Sequence, residues 1–288
     1  MRSVRVEHAG PLTTVQDRGR PGWAHLGVPR AGALDGPAAD LANRLVGNDE
    51  DAAVLETTLG GVTLTVTAAM TVAVTGAECE VTVGGRAVAW GEAVAVAAGR
   101  TVRVGPATRG LRSYVGLAGG VDVSPVLGSR ATDTLAGVGP AVLRDGDMLP
   151  VGPALRLPVH VDTHRVRRPG GPARLRVVPG PRADWFDDGA LATLTGSTYT
   201  VGAESNRVGL RLSGPRLARR RTEELPSEGI VLGAVQVPAS GEPLVFLHDH
   251  PTTGGYPVVA VVLPEDLPQC AQLRPGDEVR FLCMSATT

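Results

Sequence analysis

Short apolar runs broken by glycine turns recur along this chain. Val62 to Val66, Thr71 to Val74, Val81 to Val83, Val88 to Trp90, Val94 to Val96 and Val102 to Val104 follow one another at intervals of roughly ten residues, the rhythm of a barrel or sandwich. Gly84 and Gly85, and again Ala98 and Gly99, are expected to join such runs as hairpins. Helical spacing is rare. The clearest case is Pro37 to Val46, where Asp35 is placed to cap the N-terminus, Ala38, Leu41 and Leu45 share one face, and Gly47 stops the helix. Two shorter helices are predicted at about Asp187 to Leu194 and Pro264 to Leu273, the latter holding Cys270 for core packing. The pattern therefore predicts a mainly β protein with a few short helices.

From Pro150 to Pro172 the pattern weakens into a stretch rich in proline, glycine and arginine, which marks a linker between an N-terminal domain over 1–155 and a C-terminal domain over 173–288. His160 and His164 fall in this linker and are expected to be solvated. Each half closes alike: Arg144 to Pro150 (RDGDMLP) and Arg274 to Phe281 (RPGDEVRF) both read as a Gly-Asp turn followed by a strand, a faint repeat compatible with two related barrels. A length of 288 residues is ample for two cores.

Composition narrows the function. The formal net charge of −1 offers no basic field for nucleic acid or an anionic membrane. No apolar run approaches the roughly 20 residues that span a bilayer, and MRSVRVEHAG lacks the apolar core of a signal peptide, so a cytoplasmic location is expected. Cys79, Cys270 and Cys283 are scattered without zinc-ligand spacing. Every one of the 28 basic residues is arginine; a chain without lysine can form no Schiff base, carry no biotin and supply no P-loop lysine. None of the usual hydrolase, metalloprotease, dinucleotide or P-loop motifs is present either.

Three polar stretches interrupt the apolar pattern. The most informative is Leu247 to Leu263 (LHDHPTTGGYPVVAVVL), a polar, glycine-rich turn between the strand-like runs Pro243 to Leu247 and Pro257 to Leu263. Here Asp249, Thr252, Thr253 and Tyr256 supply acceptors and hydroxyls, while Gly254 and Gly255 admit close backbone approach. His248 and His250 would share one face of an extended chain, but without a third ligand a metal site is the weaker reading and none is assigned. The second stretch, Gly10 to Arg30, gathers Gln16, Asp17, Arg18, Arg20 and His25: the arginines suit a carboxylate or phosphate, and Asp17 or His25 could move a proton, although the charges could equally pair with one another. The third holds Arg207, Glu228 at a strand start and Gln236 within a strand. Arg219 to Arg221 are expected to pair with Glu223 and Glu224 as a salt-bridged surface.

Taken in order, GPLTTVQDRGRPGWAHLGVPRAGALD (10–35), LANRLVGNDEDAAVLETTLGG (41–61), GGVDVSPVLGSRATD (119–133), GPRADWF (180–186), SNRVGLRLSGP (205–215), SEGIVLGAVQVP (227–238), TTGGYP (252–257) and DLPQCAQLRPGDEVRF (266–281) resemble the family of 5-oxoprolinase C subunits, also described as biotin-dependent carboxyltransferase, allophanate hydrolase subunit 2-like or kinase-inhibitor antagonist-like. The resemblance covers nearly the whole chain and implies two cyclophilin-like β-barrels, a B-subunit partner of related fold and possibly an A-subunit partner. It implies ATP-dependent opening of 5-oxo-L-proline to L-glutamate, with ATP and Mg acting at the level of the complex and the chain inactive alone. A carboxyltransferase role in a urea carboxylase-like system is the alternative, with biotin carried elsewhere; a second alternative is a non-catalytic partner that antagonises a kinase-inhibitor-like protein. Under the first reading Asp17, Glu228 or Asp249 serves as acid or base. Arg18 and Arg207 orient a carboxylate or phosphoryl group, and Gln16, His25, Gln236, Thr252, Thr253, Gly254 and Tyr256 bind substrate.

Overall fold

The structure is a computed structural model and describes residues 2–159, 171–221 and 223–284. Much of the linker, with His160 and His164, lies outside the described residues. The chain forms two compact units: one takes the residues up to Arg20 and from Ala31 into the linker, and the other takes residues 21–30 and the rest of the chain. The first unit is therefore interrupted in sequence by ten residues that belong to the second.

The first unit contains β1 (Ser3–His8), β2 (Leu12–Gln16), β3 (Val54–Thr58), β4 (Thr63–Val66), β5 (Met70–Val83), β6 (Arg86–Val88), β7 (Ala93–Val96), β8 (Thr101–Leu117) and β9 (Met148–Pro150). They make one curled, half-barrel sheet in the order β2-β3-β8-β4-β1-β9, with β5 joining β8 to β6 and β7. Two long strands are its spine. Thr71 to Val74 and Val81 to Val83, which read as separate runs, are both parts of β5, and the run at Val102 to Val104 continues to Leu117. The alternation is broken between them because the β5–β8 ladder shifts register three times from Gly76 to Val81. Gly76 has φ 83, and an added Cβ would sit 2.5 Å from the Arg112 carbonyl oxygen, so only glycine fits this bulge.

Gly84 and Gly85 close the expected β5–β6 hairpin, with φ 56 and 79. Ala98 and Gly99 do not close one: β7 and β8 both pair with β5, which separates them. Inward valines and leucines of these strands, among them Val4, Val6, Leu64, Val74, Val104 and Val115, form the main core.

Helix α1 (Gly36–Val46) follows its sequence signals closely. The Asp35 carboxylate accepts from the Ala38 amide at 3.1 Å, and Gly47 ends the helix in the left-handed region. Leu41, Leu45 and Val46 pack with Ala73 and Ala118. Asp35→Ala is expected to lower stability by about 1 kcal/mol, measured by denaturant unfolding, because one helical N–H loses its acceptor.

Under the start of α1 lies a buried polar network. Glu56 on β3 is 1% exposed and faces Arg112 of β8, 4% exposed, at 3.6 Å. The same carboxylate accepts from the Leu34 amide at 3.0 Å and the Tyr114 hydroxyl at 2.9 Å, and the Tyr114 oxygen in turn accepts from the Asp35 amide at 2.8 Å. Burial and the neighbouring Glu56 charge push the Tyr114 hydroxyl well above its usual pKa, so it remains a donor.

The second unit is a closed barrel built from β10 (Ala173–Pro179), β11 (Thr198–Val201), β12 (Gly209–Ser213), β14 (Ala234–Gln236), β15 (Leu244–Phe246), β17 (Val258–Val262) and β18 (Glu278–Cys283). A two-stranded ribbon, β13 (Glu228–Gly229) with β16 (Thr253–Gly254), stands apart from it. The barrel closes where β18 runs parallel to β10. Tyr199 and Phe281 meet edge to face inside, with ring centroids 5.9 Å apart. Helix α2 (Ala190–Gly196) starts at Ala190, later than Asp187 as the sequence suggests, and the second short helix is a 3-10 turn at Pro264–Asp266 followed by α3 (Leu267–Cys270). Cys270 is buried there, as expected.

The faint repeat is real at the level of geometry. Asp147 accepts from the Arg144 amide at 2.8 Å and Asp277 from the Arg274 amide at 2.8 Å, while Gly146 and Gly276 have φ 93 and 92. Each turn then launches a strand, β9 in one unit and β18 in the other.

Candidate functional site

The polar turn after β15 is where the second unit concentrates its chemistry. The flanking strands do not pair with each other: β14 lies between β15 and β17 and is hydrogen-bonded to both. The chain from Leu247 to Pro257 must therefore bridge across β14, which is why it is longer than a hairpin turn. It first forms a tight turn, the His250 amide donating to the Leu247 carbonyl at 3.1 Å. His248 and His250 thus sit in a turn, not on one face of an extended strand. His250 is buried, with its Nδ1 2.7 Å from the Pro251 oxygen.

Asp249 is fully enclosed and meets Arg207 in a two-pronged ion pair, Nε to Oδ2 and Nη2 to Oδ1, both at 3.0 Å. Asp249 also donates its amide to the Arg207 carbonyl at 3.1 Å. Such a fork fixes both side chains and neutralises both charges. The geometry gives Asp249 the role of holding Arg207 and leaves it little freedom as a proton acceptor.

Beyond this pair the chain enters the ribbon. Glu228 pairs with Gly254 and Gly229 with Thr253, and the Ile230 amide donates to the Thr252 carbonyl at 2.9 Å. The Gln236 side-chain Nε2, from the barrel wall, donates to the Tyr256 carbonyl at 3.0 Å. A Cβ on Gly254 would lie 2.9 Å from Gln236 Nε2 and 3.2 Å from Ile230 Cδ1, so the close approach that Gly254 permits is to the protein's own side chains. Glu228, Gln236, Thr252, Thr253, Gly254 and Tyr256 are thereby brought together. The hydroxyls of Thr252, Thr253 and Tyr256 engage no hydrogen-bond partner among the described residues, and Thr253 and Tyr256 are exposed.

Glu228 is committed to Arg182, whose Nε lies 3.0 Å from Oε2 and whose Nη2 contacts Oε1. This ion pair holds its carboxyl below the usual carboxylate range, so Glu228 is an anion and a weak base at neutral pH. Arg219 lies over the Tyr256 ring at 5.6 Å and donates to the Val237 carbonyl; its neighbours Arg220 and Arg221 pair with Asp188 at 2.5 Å and Asp184 at 3.4 Å. The acidic partners of this run are therefore across the fold, not Glu223 and Glu224. The Arg220 and Arg221 amides both donate to the Trp185 carbonyl, which aligns the run with the acidic turn at Asp184 to Asp188.

Two groups here were not assigned to the site from the sequence. Arg30, at the end of the second polar stretch, is more than half enclosed, and its Nε is buried without a partner among the described residues. Burial pushes its guanidinium below the ordinary arginine value. His248 is partly exposed as a residue while its Nδ1 is enclosed and unpartnered. Desolvation, reinforced by the charges of Arg30 and Arg207, pushes the His248 imidazole down to about 3. It is neutral at physiological pH. Since the usual value is 6.5, the unfolded chain takes up this proton first on acidification, and stability falls as pH drops from about 6.5 towards about 3. His248→Asn should flatten that part of a plot of melting temperature against pH; an unchanged slope would assign the acid sensitivity elsewhere.

The remaining candidates have other partners. In the first unit Asp17 accepts from the Ser129 hydroxyl and the Arg130 amide, each at 2.6 Å, and from the Gly19 amide at 2.8 Å; these three bonds make it a loop pin. Arg18 is exposed and pairs with Glu50 at 2.5 Å and Asp40 at 3.3 Å, so its charge is already engaged. Gln16 is buried and donates to the Thr132 carbonyl at 3.0 Å and the Thr14 hydroxyl at 3.1 Å. His25, in the segment that belongs to the second unit, is exposed, stacks on Trp23 and has its Nδ1 3.0 Å from the Gly22 carbonyl oxygen. Among the described residues no group of three or more His, Cys, Asp or Glu side chains is placed to hold a metal, and no helix is long and apolar enough to cross a membrane.

A β architecture with an arginine-rich, lysine-free site is the setting in which the comparisons with known proteins fall. The chain belongs to the carboxyltransferase family: the model of the carboxyltransferase domain, subdomain A and B, matches residues 26–283. Within that family it is 39% identical to the C subunit of 5-oxoprolinase from Escherichia coli K12 over 282 residues, which is 97% of this chain and 90% of that one. It is 30% identical to the urea amidolyase of Saccharomyces cerevisiae, matching 98% of this chain but only 17% of the yeast protein. The crystal structure of TTHA0988 superposes with a TM-score of 0.88 at 38% identity, covering 98% of this chain and 56% of that one.

Proposed function

We propose that the chain is the C subunit of an ATP-dependent 5-oxoprolinase, which opens 5-oxo-L-proline to L-glutamate together with its A and B subunits and is inactive as an isolated chain. The observation that carries this reading is span. The match to the Escherichia coli C subunit runs over nine-tenths or more of both chains, whereas the yeast urea amidolyase contains the matching region as a small part.

The lactam of 5-oxoproline resists water because its amide is resonance-stabilised, and ATP with its Mg supplies the activation of the carbonyl oxygen. The chain has neither lysine nor a phosphate-binding loop, which favours activation at the level of the complex. What the chain contributes is binding and orientation. The hydroxyls of Thr252, Thr253 and Tyr256 meet the polar atoms of the substrate, Gln236 holds the ribbon that carries them through the Tyr256 carbonyl, and Arg207 is pre-set by Asp249.

Combining the three purified proteins and measuring 5-oxoproline-dependent ATP hydrolysis with each omitted in turn tests this. Omitting this chain should reduce turnover to background; full activity without it would sink the reading. The carboxyltransferase reading is favoured by the family model and by the urea amidolyase relative. Biotin would then ride on another chain, and transfer from carboxybiotin to urea would appear only when such a carrier is added.

A further inference from the structure

The arginine run after β12 carries an internal comparison. Arg219 and Arg221 each lie over an aromatic ring, Arg219 over Tyr256 at 5.6 Å and Arg221 over Trp185 at 5.7 Å. Only one of the two is neutralised. Arg221 pairs with Asp184 at 3.4 Å, Arg220 pairs with Asp188, and Arg182 is committed to Glu228 of the ribbon. Arg219 has no acidic partner among the described residues. Its contacts are with neutral groups: the Tyr256 ring, and the Val237 carbonyl, to which Nη2 donates. A ring face and a carbonyl orient a guanidinium without removing its positive charge. Burial pushes this guanidinium below the ordinary arginine value, yet it is a cation at any physiological pH. Nε is enclosed by protein, while Nη1 is neither enclosed nor hydrogen-bonded.

The ring and the carbonyl that hold Arg219 are themselves tied together. Gln236 Nε2 donates to the Tyr256 carbonyl at 3.0 Å, and the next residue, Val237, donates its amide to the Pro257 carbonyl at 3.1 Å. The guanidinium is thereby set on a fixed frame. The same segment carries the Thr252, Thr253 and Tyr256 hydroxyls, which have no hydrogen-bond partner among the described residues, and Tyr256 is half exposed. A partly desolvated cation without a counter-charge is unfavourable, and an anion supplied from outside relieves it.

We propose that Arg219 is the carboxylate-binding residue of the ribbon site: its open Nη1 donates to the carboxylate of a small organic acid, and the ribbon hydroxyls meet the acid's other polar atoms. The charge to be balanced is that of one guanidinium, which matches a monocarboxylate and leaves a phosphate dianion with an excess charge. In the 5-oxoprolinase reading, on which only the name of the ligand rests, the acid is 5-oxo-L-proline and its lactam faces the hydroxyls.

The test is calorimetric titration of the full chain with acetate, with 5-oxo-L-proline, with 2-pyrrolidinone, which is the same lactam without the carboxylate, and with inorganic phosphate. The wild type should bind both carboxylates but not 2-pyrrolidinone, and Arg219→Gln should weaken both by about tenfold or more. Arg221→Gln is the matched control. It removes a stacked but ion-paired arginine from the same run and should leave both affinities unchanged. No carboxylate binding by the wild type, no loss in Arg219→Gln, an equal loss in the two variants, or phosphate bound more tightly than acetate would each overturn the site. Acetate bound through Arg219 without binding of 5-oxo-L-proline would support the site and remove 5-oxo-L-proline as its ligand; omission of the chain from the three-protein mixture tests the subunit assignment separately. Labelling of arginines by phenylglyoxal, mapped by mass spectrometry, needs no variant and so does not depend on the folding of Arg219→Gln. Acetate should protect Arg219 and not Arg221; protection of neither, or of both alike, would overturn the site.

Discussion

Asp249→Ala is expected to destabilise the protein by about 3–5 kcal/mol, because it leaves the Arg207 guanidinium buried with its ion-pair partner removed. Both side chains are 1% exposed or less, so water cannot replace the lost carboxylate without opening the turn. Denaturant unfolding of the single and double variants separates charge from shape. Arg207→Met combined with Asp249→Leu removes both charges together and should recover most of the stability, since a buried pair contributes little net when both members are replaced by apolar groups. A double variant as unstable as Asp249→Ala would show that the carboxylate's other contacts dominate. Turnover of the assembled complex with Asp249→Asn, which keeps the shape, then separates support from chemistry: measurable activity at raised KM is expected if Asp249 only positions Arg207, and loss of turnover in a folded variant would make it the acid or base.

Glu56→Ala should have an effect of the same size in the first unit, about 3–5 kcal/mol, for the same reason applied to Arg112. Its carboxylate accepts from two donors in different parts of the chain, the Leu34 amide and the Tyr114 hydroxyl, besides facing Arg112, so its removal also loosens the entry to α1. Tyr114→Phe provides the comparison. It keeps the ion pair but deprives the Asp35 amide of its acceptor, and should cost about 1–3 kcal/mol. A Glu56→Ala loss no greater than that of Tyr114→Phe would mean that Arg112 is compensated by other groups.

How far the residues alone carry the fold depends on the range of the interactions that make each element. Helix α1 is legible because Asp35, Pro37 and Gly47 act within a few residues of where they stand. The turn before β9 and the turn before β18 are legible for the same reason, each closed by an aspartate three residues on. The mainly β class follows from alternation, which also locates most strand centres. Strand ends and partners do not follow. The β5 and β8 strands read as shorter runs because bulges near Gly76 interrupt the alternation, and the Ala98 to Gly99 turn leads to a strand on the far side of β5. Local pattern says where a strand can form; the ladder it joins depends on residues far away.

The polar turn from Leu247 to Pro257 shows the same division at the site. Its residue types alone mark it as unusual, and the composition alone establishes that all positive charge must come from arginine. Which carboxylates are engaged is another matter. Asp17 meets Ser129 and Arg130, Glu228 meets Arg182, Asp249 meets Arg207, and Arg18 meets Glu50, all across separations that no local spacing encodes. The sequence by itself determined the β class, the first helix, the arginine-only chemistry and the stretches where polar groups collect. Only the tertiary structure decided which of those groups cancel one another, because ion pairing and desolvation are set by proximity in space.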